Sequence, residues 1–173
     1  MSFRFTISEF YEELREQFKP EKTRILFVGE SRPKNETFFY KNDSNLSRYM
    51  LEAFRLFRPS KFTPHNFLKQ FKASDCYLID LCTNPVNGLT KPERRRAHLQ
   101  GESHLRESVL ELRPEAVIVI IKCIIPSVDR ALATAVSDSC PRYYLPFPAQ
   151  GHQREYVNGL HKALKELNHA GII

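Results

Sequence analysis

Four short apolar runs alternate with helix-patterned segments, and this alternation constrains the fold more than any other feature. The runs cover 24–28, 76–81, 116–121 and 142–145. Each is strand-sized, and 116–121 is the most strongly β-patterned. Thr6 with Glu9 makes a capping-box pattern that opens a helix to about Phe18. Ser44 can cap a helix whose apolar face reads Leu46, Met50, Leu51, Phe54 and Phe57, with Pro59 as its stop. A short helix fits 62–71. Thr90 with Glu93 opens a long one to about Leu112, broken by Pro114, and 126–136 and 152–167 supply two more. Strands that alternate with helices need right-handed crossovers and a sheet covered on both faces. The expectation is α/β: a three-layer α/β/α sandwich on a four-stranded, mainly parallel sheet. With no repeat or low-complexity linker, 1–173 reads as a single domain.

In such sheets ligands bind outside the carboxyl ends of the strands. That rule selects the loops 29–40, 80–89, 122–126 and 146–153, three of them unusually polar for segments leaving buried strands. Familiar signatures are missing from them. Gly29 stands alone until Gly88, so there is no G-x-G-x-x-G and no P-loop, and Ser31 lies in G-E-S-R-P rather than in a hydrolase elbow.

The net charge of +6 and pI of about 9.2 are compatible with a nucleic-acid partner without establishing one. Arg94, Arg95 and Arg96 sit consecutively on a helix and point in different directions, so a solvated face stands beside a phosphate-binding role. No apolar run is long enough for a membrane span, and nothing at the N-terminus reads as an export signal, so a cytoplasmic protein (nuclear if eukaryotic) is expected. Cys76, Cys82, Cys123 and Cys140 lack C-x-x-C spacing and read as thiols, with no disulfide, metal site or other cofactor expected.

The order of the loops resembles the uracil-DNA glycosylase superfamily from about Arg24 to Leu167. The stretch GESRPKNETFFYKNDSNLSRY after the first strand is similar to the superfamily's Gly-x-x-Pro-type motif followed by an aromatic ring that stacks on a flipped base. NDSNLSRYM resembles the way mismatch-type members enter the next helix. The resemblance makes Phe39 the stacking ring, places Asp80 where a base edge is read, and aligns LPFPAQGHQ with the last motif. Ser31 stands where many members carry Asp or Asn, and proline comes one position late, at Pro33. Phe147 replaces the His or Asn of the last motif, with His152 five residues on. The cysteine spacing does not match the iron–sulfur members.

A base-flipping site needs an aromatic face, hydrogen-bonding groups for the base edge and charged groups for the broken glycosidic bond. Glu30, Ser31 and His152 are the catalytic candidates. Phe39, Asp80, Asn84, Phe147 and Gln150 are candidates for base or ligand binding, and Arg32 and Lys122 for phosphate. Each has a plainer role beside it. Phe38, Phe39 and Tyr40 can pin a loop on the core, Glu30 can serve a helix N-terminus, Asp80 can organise a turn, Lys122 can snorkel, and His152 can cap a helix. Three functions stay open: a DNA glycosylase-like enzyme acting on a damaged or deaminated base, a nucleic-acid or nucleobase-binding protein without the chemistry, and an α/β enzyme acting on a free nucleotide.

Overall fold

Strand β1 (Ile25–Gly29) is buried along its whole length and forms the centre of a four-stranded sheet with β2 (Cys76–Asp80), β3 (Ala116–Val119) and β4 (Arg142–Tyr144). The order is β2-β1-β3-β4, and every pairing is parallel. The computed structural model describes residues 7–173, so Thr6 of the first capping pattern lies outside the described residues. Among the described residues, six helices surround the sheet: α1 (Ile7–Gln17), α2 (Asn45–Phe57), α3 (Phe67–Ala73), α4 (Lys91–Leu112), α5 (Ile125–Leu132) and α6 (Gln153–His169). Helices α2 and α6 pack together, as do α4 and α5, and the two pairs form the outer layers of the α/β/α sandwich. Among the described residues, no helix is long and apolar enough to cross a membrane.

The caps formed as their sequences require. Ser44 and Ser47 cap α2 reciprocally, and Thr90 and Glu93 do the same for α4. The helix read from 62–71 is shorter and later, because Asn66 takes the cap position and the chain turns before it.

The aromatic loop after β1 packs inward. Phe38, Phe39 and Tyr40 are all buried, and Phe39–Lys41 forms one 3₁₀ turn. The Tyr40 hydroxyl donates to the Leu78 carbonyl at 2.9 Å and accepts from the Leu78 N–H at 2.8 Å. Strand β2 is an edge strand, so those two backbone groups have no neighbouring strand to pair with. One phenol satisfies both.

Two glycines set how closely parts meet. A Cβ at Gly101 would lie 2.1 Å from the Leu81 carbonyl oxygen, so only glycine lets α4 rest against the exit of β2. A Cβ at Gly29 would lie 2.6 Å from Asp80 Oδ1, and its absence makes room for that carboxylate.

Candidate functional site

After β1 the chain steps to β2 on one side, and after β2 it crosses back to β3 on the other. The carboxyl ends of β1 and β3 therefore flank the switch point, where an open parallel sheet leaves a crevice. Glu30 is the first residue beyond β1, and Cys123 lies in the 3₁₀ turn Lys122–Ile124 that follows β3. Helix α4 covers the gap. Its residues Arg94 and His98 are four apart and share one face, which the Thr90 cap and the close approach at Gly101 turn towards Glu30.

The Glu30 carboxylate is only 9% exposed. It accepts two hydrogen bonds from Arg94, through Nε and Nη2, and lies 2.6 Å from His98 Nε2. Burial pushes the carboxyl up, while the hydrogen bonds from Arg94 and His98 pull it down and win, so it sits below the usual carboxylate range. Cys123 Sγ is 3.6 Å from Glu30 Oε1 and 3.9 Å from Arg94 Nη2. Burial and the Glu30 charge hold this thiol above its ordinary range, against the pull of Arg94.

Arg94, His98 and Cys123 line an open cavity of about 420 Å³ together with Lys91, Arg95 and Arg130, while Glu30, held by Arg94 and His98, is not part of the lining. Arg130 is paired with Glu102 at 2.6 Å, and Arg94 is paired with Glu30. Lys91 and Arg95 have no carboxylate partner among the described residues and leave two uncompensated positive charges at the cavity.

Of the residues assigned catalytic, binding or phosphate roles by the resemblance, Glu30 alone belongs to this cluster; Arg94 and Cys123 read from sequence only as part of an arginine run and as a thiol. Phe39 is corrected from a stacking wall to a core residue: it is 3% exposed, with its ring against Tyr40, Phe67 and Phe71. Asp80 does not face a ligand loop; Arg15 Nη2 donates to its Oδ2 at 2.7 Å, with both side chains about nine-tenths buried. Burial raises the Asp80 carboxyl and Arg15 pulls it back. Ser31 Oγ accepts from the Val86 N–H at 3.2 Å, which ties the first loop to the loop after β2. The Arg32 guanidinium lies 4.9 Å from the centre of the Tyr11 ring and is occupied in stacking. Asn84 is exposed on the loop after β2. Phe147 and Gln150 are exposed beyond β4, Gln150 in the left-handed region at φ 52°. His152 and Lys122 both engage Glu155, at 3.1 and 3.0 Å, in an exposed network that joins the turn after β3 to the start of α6.

Sequence reasoning missed Arg94, His98 and Cys123 as partners of Glu30. The available signal was the i,i+4 pair Arg94/His98 one turn after the Thr90 cap, on the helix that must cross back over β1. No protein-family model matches the chain, and no curated protein matches it either.

Proposed function

We propose that this chain binds a phosphate-bearing nucleotide, free or within a nucleic-acid strand, at the cavity between α4 and the start of α5. The observation that carries the reading is the uncompensated charge of Lys91 and Arg95 on a cavity lined by α4, the turn after β3 and the start of α5. Phosphate oxygens are the anions such charges recognise, and Arg supplies a fork suited to them. With Phe39 in the core and Asp80 bound to Arg15, a stacking and base-reading pocket loses two of its candidate residues. Phosphate recognition does not need them.

Hydrolysis of a glycosidic bond is a second reading, favoured by the buried Glu30 carboxylate beside His98, which lines the cavity. A carboxylate there can stabilise positive charge developing on a sugar or orient a water. Fluorescence anisotropy with a labelled single strand, a duplex and a free nucleotide tests the binding. At least one should bind, and Arg95→Ala should weaken that ligand about tenfold, the loss of one charge-assisted contact. Failure of all three ligands to bind would sink the reading. Release of free base from uracil-containing strands, abolished in Glu30→Gln, separates the second reading from binding alone.

A further inference from the structure

Glu30, His98 and Cys123 offer a carboxylate oxygen, an imidazole nitrogen and a thiol sulfur within 4.8 Å of one another. They come from three separate parts of the chain: the end of β1, the middle of α4 and the turn after β3. No sequence spacing signals such a set, because metal motifs are read from ligands close together along the chain. A tetrahedral ion with bonds of about 2.0–2.3 Å holds its ligand atoms roughly 3.3–3.8 Å apart. The Cys123 to Glu30 separation of 3.6 Å already falls there. The Glu30 to His98 separation, 2.6 Å, is that of a hydrogen bond and must open by about an ångström, which is the change expected when an ion replaces a shared proton.

The geometry points to a zinc site formed by Glu30, His98 and Cys123, with its fourth position open to the basic cavity. A mixed N, O and S donor set suits zinc over the hard cations, which prefer oxygen alone. Three protein ligands and one free position is the arrangement of zinc sites that bind a further ligand. Arg94 is the competitor, because it occupies both oxygens of Glu30. Its side chain is 42% exposed and borders the cavity, so it has somewhere to go. When zinc binds, the Cys123 thiol releases one proton to solvent, the neutral His98 ring exchanges its Nε2 proton through solvent for one on Nδ1 so that Nε2 is free to ligate, and the Arg94 guanidinium moves off Glu30. The ion with a carboxylate, a thiolate and a neutral imidazole is then uncharged overall. Arg94 adds its charge to those of Lys91 and Arg95 at the cavity. The site stands independently of the nucleotide reading, since its test contains no nucleotide.

Titration of the reduced chain with Co²⁺, followed by displacement with Zn²⁺, reads the site directly. A thiolate-to-cobalt charge-transfer band and tetrahedral visible absorption are expected at one equivalent. Cys123→Ser, at an exposed position, should remove the charge-transfer band and weaken zinc about tenfold or more. Arg94→Ala removes the competitor and should tighten zinc by a similar factor, which a chance surface His–Cys contact would not do. The proposal is overturned by any of four results: no band in the native chain, unchanged affinity in Cys123→Ser, unchanged affinity in Arg94→Ala, or binding that appears only once Arg94 is gone.

Discussion

Tyr40 accounts for much of the aromatic cluster that follows β1. Its hydroxyl closes the outer edge of β2, and its ring stacks on Phe18 at 5.7 Å while meeting Phe39 edge-on at 4.9 Å. A phenol can satisfy two buried backbone groups only if its ring is held in place, and Phe38 and Phe39 hold it. Loop residues on this fold are common ligand contacts, so three adjacent rings after a first strand read equally well as a binding wall or as a plug. Sequence carries the ring identities but not which strand is an edge, and the edge decides the matter. Phe39→Ala should therefore cost roughly 3–5 kcal/mol of stability, as a large core truncation does. Nucleotide affinity of the folded fraction should stay as it was. Urea melts alongside anisotropy titrations check this, and a normal melt with lost binding would return Phe39 to the site.

At the scale of elements, α4 does most to assemble the candidate site, and much of it was legible. Thr90, Glu93 and Pro114 bound it correctly because caps and breakers act locally. Its inward face was not legible. Only His98, Gly101, Leu105 and Val109 are buried on a helix of 22 residues, and two of those four are not hydrophobic side chains. An apolar-periodicity reading thus sees a mostly solvated helix and assigns Arg94 to solvent. Gly101 is the hinge of this placement. Alanine at that position gains about 1 kcal/mol of helix propensity. Its Cβ, however, would meet a backbone oxygen at 2.1 Å, a contact that flexible side chains cannot relieve. Overpacking of this kind costs about 1–3 kcal/mol, so the clash wins. Gly101→Ala should lower the melting temperature and, by lifting α4 from the sheet, loosen Arg94 and His98 from Glu30 and weaken nucleotide binding. A stabilised variant with intact binding would show that α4 is not held by this approach.

Across the whole molecule, the alternation of strands and helices gave the α/β class, while the strand order came only from the structure. Four loops at strand ends are equivalent until the order β2-β1-β3-β4 shows that those after β1 and β3 share one crevice. The same distinction between total and placement applies to charge. A net +6 attracts any polyanion weakly from all sides, whereas the cavity between α4 and α5 concentrates Lys91 and Arg95. Two double variants separate these cases. Lys91→Ala with Arg95→Ala, and Lys69→Ala with Lys165→Ala, each remove two positive charges and leave +4, since +6 less two is +4 for both. Lys69 on α3 and Lys165 on α6 are exposed and do not line the cavity. If phosphates of a single strand sit on Lys91 and Arg95, the first pair should flatten the slope of log affinity against log salt by about 1.4, through two fewer released counterions. The second pair should leave the slope near the native value. Equal flattening by both pairs would mean that the molecule attracts nucleic acid through its overall field and has no phosphate site at this cavity.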